Sequence, residues 1–243
     1  MKIAVVGGTG LIGSQVVANL TAAGHDAVPY ALSTGVDIIT GVGVGDAVAG
    51  ADVVVNLTNS PTFDDASPAF FQSSMDNLLA ASQKGGVGHI VVLSIVGVDQ
   101  APELDYYRAK VLQEDILKAG PIPYSIERAT QFIEFMHAIM SWTTDGDTVR
   151  LPRTPLQPIA AADVSRIVAE VAAGAPLNGI LNIAGPDVYP LDEIGRMTIA
   201  AKGDGRSVVT DDTAGMFAAA HGDVLTPGND ARIASTHYAD WLS

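Results

Sequence analysis

An α/β fold, a doubly wound parallel sheet of about seven strands with a small C-terminal substrate lobe, is the architecture this sequence predicts. Three observations lead there. Short apolar runs alternate with longer amphipathic ones from residue 2 to about residue 203. The short runs are almost continuously apolar, as strands covered by helices on both faces must be. The chain has 243 residues and is 48% hydrophobic, long enough for a sizeable core, with no Ser/Gly/Pro-rich linker to divide it.

The elements follow in order. "KIAVV" (2–6) reads as a buried strand, and "LIGSQVVANLTAAG" (11–24) as a helix that stops at Gly24. "DAVPYA" (26–31) is a second strand and "VDIIT" (36–40) a short third. A brief helix at 44–50 precedes "ADVVVNLT" (51–58), the fourth strand. Residues 65–84 read as a helix, "HIVVLSI" (89–95) as the fifth strand, and about 103–119 as another helix ending at "AGPIP". "YSIERA" (124–129) is the sixth strand, followed by a helix at 130–141. A helix at 162–174, a seventh strand "GILNIAG" (179–185) and a helix at 191–203 complete the pattern. Such alternation implies right-handed crossovers and a parallel sheet.

The expected organisation is a single domain over 1–243, with its core at about 1–141 plus 162–185. The substrate lobe comes from about 142–161 and 186–243, where the periodicity loosens. Ligands in open α/β sheets bind along the C-terminal edge of the strands.

The formal net charge is −14, with acidic residues scattered rather than blocked. Such a surface repels phosphate backbones and anionic membranes, so neither nucleic acid nor membrane is an expected partner. The absence of cysteine excludes disulfides, thiolate nucleophiles and zinc–thiolate sites. Histidines 25, 89, 137, 221 and 237 show no metal-ligand spacing, so no metal is expected. The apolar start is too short for a signal-peptide core, and no run approaches the roughly 18 apolar residues of a membrane span. A cytoplasmic location is the expectation.

The turn after the first strand reads Gly7-Gly8-Thr9-Gly10-Leu11-Ile12-Gly13. Gly7 permits the tight turn, Gly10 lets backbone approach a pyrophosphate, and Gly13 lets the helix pack closely on the sheet. Thr9, Leu11 and Ile12 complete the cradle, in which helix N-terminal N–H groups and the positive dipole end face the diphosphate. Between a first strand and a first helix, this pattern predicts dinucleotide binding.

"GGTGLIG" has the G-x-x-G-x-x-G form of extended and atypical short-chain dehydrogenases/reductases. "ADVVVNLTNSP", "HIVVLSIVGVD", "YYRAKVLQE" and "PYSIERATQFIEF" then resemble, in order, the NmrA-like atypical branch. The resemblance spans essentially the whole chain. It implies an NAD(P)-binding Rossmann domain and membership among NAD(P)-dependent reductases, quinone reductases included, beside relatives that only sense the cofactor.

The end of the second strand chooses between cofactors in such folds: a carboxylate bonds the ribose of NAD, an arginine the extra phosphate of NADP. "PYALSTG" has neither, departing from the arginine often found in this branch. The missing carboxylate permits NADP, the expected cofactor, with NAD left open. Ser33 and Thr34 are candidate donors to phosphate oxygens or plain turn residues. Asn56, Leu57, Thr58 and Asn59, at the end of the fourth strand and just beyond it, are expected near the adenosine half, unless Asn59-Ser60-Pro61 is simply a turn.

Tyr106 and Lys110 are four residues apart on one helix, within about 6 Å at Cβ. A protonated lysine favours the phenolate of a neighbouring tyrosine. Lys110 can also bond the nicotinamide ribose, leaving Tyr106 to exchange a proton with a carbonyl oxygen during hydride transfer. The pair matches the Tyr-x-x-x-Lys of the short-chain dehydrogenases. Ser94, ending the fifth strand, is the candidate third member; the spacing of extended relatives would instead put that position at Val96, leaving Ser94 to line the cofactor pocket. Beyond the sixth strand, Ala129 and Thr130 are expected at the cofactor, Gln131 at the carboxamide or substrate, and Phe132 in the substrate pocket. Phe135, Met136, Met140 and Trp142 share a helical spacing that suits core packing.

These readings predict an NAD(P)H-dependent reductase of a small apolar or aromatic carbonyl or quinone. A non-catalytic NAD(P)-sensing protein is the alternative. A nucleotide-sugar epimerase or dehydratase ranks third, because only Arg150 and Arg153 form a close basic pair for a second diphosphate. The long helices at 65–84 and 103–119 could pair in a homodimer, as in many relatives.

Overall fold

The computed structural model describes residues 1–243. Its strands are β1 (Lys2–Val6), β2 (Asp26–Tyr30), β3 (Val53–Asn56), β4 (His89–Ile95), β5 (Tyr124–Ala129), β6 (Thr144–Asp145), β7 (Thr148–Leu151), β8 (Pro155–Leu156), β9 (Gly179–Ala184), β10 (Tyr189–Pro190), β11 (Ser207–Thr210) and β12 (Arg232–Ile233). Its helices are α1 (Leu11–Ala22), α2 (Val44–Val48), α3 (Ser67–Gly85), α4 (Asp105–Ala119), α5 (Met136–Trp142), α6 (Ala161–Ala173), α7 (Leu191–Lys202) and α8 (Tyr238–Leu242).

Seven strands make the central sheet, in the order β12-β9-β5-β4-β3-β1-β2. β1 pairs in parallel with β2 (Ile3 opposite Ala27) and with β3 (Ile3 opposite Val53), and β3 pairs in parallel with β4. The chain therefore runs outward from β1 to β2 and then returns past it to β3. That reversal makes the crevice beyond β1 the expected ligand position in a doubly wound sheet. Ile3, Ala4, Val5 and Val6 are all buried, so both faces of β1 are covered. This is why its sequence is continuously apolar rather than alternating.

Two compact units divide the chain. The first comprises Met1–Ser94, Asp105–Arg128 and Val164–Leu181, and the second Ile95–Leu104, Ala129–Asp163 and Asn182–Ser243. The first unit's core joins Ala4, Val6, Val54, Ile90 and Val92 of the strands to Met75, Leu78 and Leu117 of α3 and α4. The second unit carries two small sheets, β11-β7-β6 and β10-β8. No helix is long and apolar enough to cross a membrane.

Three expectations are corrected. Residues 36–40 are not a strand but a turn, closed by Asp37 N–H to Val42 O and by Gly41 N–H to Asp37 O. Val36 and Ile38 alternate because both side chains enter the core beside α2, and no strand partner is needed for that. The seventh place in the sheet goes instead to β12, only two residues long. Second, the helix expected over 130–141 starts later: Thr130 and Ile133 bond Ile183 and Ile159 through their backbones, and a 3-10 turn at Ile133–Phe135 leads into α5. Third, Phe135 and Trp142 are not core residues; they are 47% and 51% exposed, while Met136 and Met140 are buried.

Candidate cofactor and catalytic site

The glycine turn lies between β1 and α1. Gly7 has φ of +82°, a conformation that L side chains rarely adopt. A Cβ there would also meet the Leu57 carbonyl carbon at 2.9 Å, so the loop after β3 lies directly on the turn. A Cβ on Gly13 would stand 2.2 Å from Gly7 O, which explains why α1 begins so close to the strand. Gly8 is a requirement the motif reading overlooked: a Cβ there would stand 2.6 Å from Val5 O and 2.7 Å from Pro29 Cα. Gly10 differs, since its Cβ would meet only Gly7 O, at 3.4 Å. Thr9, Gly10 and Leu11 are exposed, and no side chain caps α1. First-turn N–H groups of a helix have no intrahelical partner. An exposed, uncapped helix start with no side chain over Gly10 suits a diphosphate. Ile12, by contrast, is buried and offers only backbone.

Asn56 at the end of β3 is buried, and its Oδ1 accepts from Thr58 N–H at 3.1 Å and Thr58 Oγ1 at 2.7 Å. Both side chains thus shape the loop that carries Leu57 over Gly7. At the end of β2, Thr34 Oγ1 donates to Ala31 O at 2.9 Å and accepts from Ala31 N–H at 2.8 Å. Its hydroxyl proton is committed to the 3-10 turn Leu32–Thr34, whereas Ser33 is exposed.

On α4, Tyr106 and Lys110 are both buried, 5% and 3% exposed. The Tyr106 hydroxyl donates to Asn59 Oδ1. Phe63 meets its ring edge-on at 4.8 Å, and Phe71 lies at 6.1 Å. Lys110 Nζ donates to Leu93 O at 2.7 Å and to Gln113 Oε1, and it sits 5.0 Å from the centre of the Phe71 ring. The expected electrostatics are overturned. Burial pushes the Tyr106 phenol up to about 12. Burial also pushes the Lys110 ammonium down to about 7, against the pull of the Glu114 carboxylate. The desolvation that comes with packing exceeds what the i, i+4 neighbour supplies.

Ser94 has a different engagement from the one expected of a substrate-binding serine. Its hydroxyl donates to Glu114 Oε1 at 2.6 Å. Arg128 donates to the same carboxylate through Nε at 2.9 Å and Nη2 at 2.7 Å, and Lys118 Nζ lies 3.1 Å from Oε2. Burial alone would raise Glu114, but the bonds from Arg128, Ser94 and Lys118 hold it below the ordinary 4.5. The sequence held a signal for this cluster. Glu114 falls on the buried stripe 106, 107, 110, 113, 114 and 117 of α4, and Glu127 and Arg128 put charged side chains into a strand buried from Ser125 to Ala129.

In the second unit, buried Ala129 accepts from Val96 N–H at 3.0 Å through its carbonyl. Thr130 is buried, and its hydroxyl donates to Gln157 O at 2.6 Å. Gln131 is half-buried and its carbonyl accepts from Ile159 N–H at 3.0 Å. Phe132 is half-buried and stacks on Phe135 with ring centres 5.8 Å apart and planes 27° apart.

Residues 36–174, more than half of the chain, match the family model described as NAD(P)H-binding. The chain belongs to the NAD(P)H-binding family. This NAD(P)H-binding chain is 27% identical to the chloroplastic divinyl chlorophyllide a 8-vinyl-reductase of Cucumis sativus, over 79% of its own length and 55% of the relative's. It thus spans about half the length of the curated relative it matches. A dTDP-glucose 4,6-dehydratase from Streptomyces venezuelae, solved with NAD, superposes with a TM-score of 0.71 at 19% identity, over 87% of this chain and 85% of that one. An NADPH-dependent quinone oxidoreductase from Escherichia coli, solved with NADPH, gives 0.68 at 19% identity, over 86% and 77%. These likenesses to solved structures show a Rossmann-like fold. The family match begins at residue 36, so the glycine turn stands on its own geometry.

Proposed function

We propose that this NAD(P)H-binding protein is a reductase of a small apolar or aromatic carbonyl or quinone. The observation that carries the reading is the Tyr106 hydroxyl, a protonated phenol at neutral pH, donating to the carboxamide oxygen of Asn59. A phenol in that position can donate to a carbonyl-type acceptor, although burial makes it a weaker acid than an ordinary tyrosine. Bound nicotinamide supplies hydride. Unpaired first-turn backbone N–H groups at the start of α1 would hold the diphosphate, Asn56 and Thr58 shape the neighbouring loop, and the exposed end of β2 favours NADP(H) because no carboxylate stands there and Ser33 offers a donor. Lys110 keeps the α4 face in place beneath Tyr106. The test is Tyr106→Phe assayed with NADPH and a panel of ketones and quinones. Turnover falls by two orders of magnitude or more, on the order expected for a lost general acid, while NADPH affinity stays within about twofold. Undiminished turnover removes the assigned role.

A second reading has its own observation. The ammonium of Lys110 is turned to Leu93 O, Gln113 and the Phe71 ring, and the Ser94 hydroxyl to Glu114. A protein that binds the dinucleotide and reports it to a partner needs neither group at a substrate. Bound NADPH that no ketone or quinone consumes supports it. The epimerase reading is weaker: Arg150 pairs with Asp211 at 3.8 Å and Arg153 with Asp212, so both candidate cations are already neutralised.

A further inference from the structure

The loop after β3 covers the phenol of Tyr106. Two of its side chains act on one ring: Asn59 takes the hydroxyl proton into a hydrogen bond, and Phe63 closes over the ring edge-on at 4.8 Å. Asn59 is exposed and Phe63 is 50% exposed, whereas the ring beneath them is 5% exposed. The loop is pinned on either side of these two residues. Thr58 is tied to Asn56; Ser67 Oγ donates to Thr62 O at 2.8 Å and lies 3.2 Å from Ser60 Oγ. The acceptor in this arrangement is a carboxamide C=O, the same kind of oxygen that a ketone or quinone presents.

We propose that the Asn59 carboxamide occupies the seat of a substrate carbonyl oxygen at the Tyr106 hydroxyl, and that Asn59 and Phe63 form a clamp which the substrate displaces. The inference rests on the reductase reading for its substrate half only. Release of Asn59 costs only the net worth of one hydrogen bond, because an exposed amide regains partners from water. The entering carbonyl recovers the bond that Asn59 gives up, so the exchange is between like partners. The loop then discriminates by strength of acceptor and by apolar bulk. A carbonyl with a flat apolar body replaces both Asn59 and Phe63, and a small hydrophilic carbonyl replaces only the first. The clamp also keeps the phenol dry, consistent with its raised titration.

The experiment has a spectroscopic arm and a kinetic arm on the full chain. Phenolate absorbance is followed through an alkaline titration of the wild type, Asn59→Ala with Phe63→Ala, and Tyr106→Phe, the last identifying the Tyr106 signal. The double variant is expected to bring Tyr106 from about 12 toward the ordinary tyrosine value of about 10. With NADPH and menadione as probe, Asn59→Ala is expected to lower KM about tenfold without lowering kcat, since one competing hydrogen bond is gone. If Tyr106 stays protected in the double variant, the clamp is overturned whatever the kinetics. If Tyr106 becomes exposed and KM is unchanged while Tyr106→Phe still abolishes turnover, the displacement is overturned and the catalytic reading stands. If Tyr106→Phe is fully active, the acid role of Tyr106 and the substrate half of the proposal fall while a reductase remains; if the wild type turns over neither menadione nor any ketone, the reductase reading itself fails and takes the substrate half with it.

Discussion

The guanidinium of Arg128 grips the carboxylate of Glu114 through two hydrogen bonds, of 2.9 and 2.7 Å, within the first unit. The pair ties α4, which carries Tyr106 and Lys110, to β5, and Ser94 adds β4 to the same carboxylate. Arg128→Leu leaves a buried carboxylate without its main partner and is expected to cost about 3–5 kcal/mol, read from urea unfolding. Arg128→Leu with Glu114→Leu recovers most of that loss. Glu114 is held below 4.5, so its contribution is complete above the unfolded value and disappears as pH falls through the lower folded one. The double variant lacks that part of the acid sensitivity, and equal acid slopes in the two proteins would contradict the assignment.

Gly10 and Gly13 respond to the same substitution in opposite ways. A Cβ on Gly13 stands 2.2 Å from Gly7 O, and one on Gly10 meets nothing nearer than 3.4 Å. Gly13→Ala therefore lowers stability, by about 1–3 kcal/mol on the scale of an overpacked core, and loses dinucleotide binding with it. Gly10→Ala keeps its Tm and weakens NADPH binding alone, because the added methyl stands over the exposed amides. Calorimetry of the two variants with and without NADPH separates them.

Lys110 makes the protein more stable as pH rises. Its ordinary value is 10.5 and burial pushes it to about 7, so between those limits the unfolded chain holds a proton the folded chain has released. Stability then climbs with pH across that window, by at most about 1.4 kcal/mol per pH unit. Lys110→Met removes the slope. Urea unfolding across the window checks it, and parallel curves for the two proteins would refute it.

Substitution at Ser33 tests the NADP(H) proposal. Ser33→Asp places a carboxylate beside the end of β2, where a 2′-phosphate would be repelled. NADPH affinity is expected to fall about tenfold or more relative to NADH affinity. An unchanged NADPH-to-NADH ratio by fluorescence titration would place the phosphate elsewhere.

Much of the fold was readable before any contact was known. The runs 89–95 and 124–129 coincide with β4 and β5, and the parallel sheet follows from the alternation of such runs with helices. The glycine turn was readable because a missing Cβ answers a demand made within a few residues. The same locality misled at 36–40, where Val36 and Ile38 alternate as a strand would, and at Phe135 and Trp142, whose spacing gave no sign of which face the second unit covers.

Periodicity and the steric needs of a turn belong to neighbours in the chain, and the sequence states them outright. It placed Tyr106 and Lys110 on one helix face for that reason. Their protonation and direction were settled only by folding: Asn59 is 47 residues from the Tyr106 hydroxyl it binds, Leu93 is 17 residues from Lys110, and Arg128 is 14 residues from Glu114. A charge or a proton responds to how much water is removed and which dipoles replace it, and those are properties of distant segments brought together.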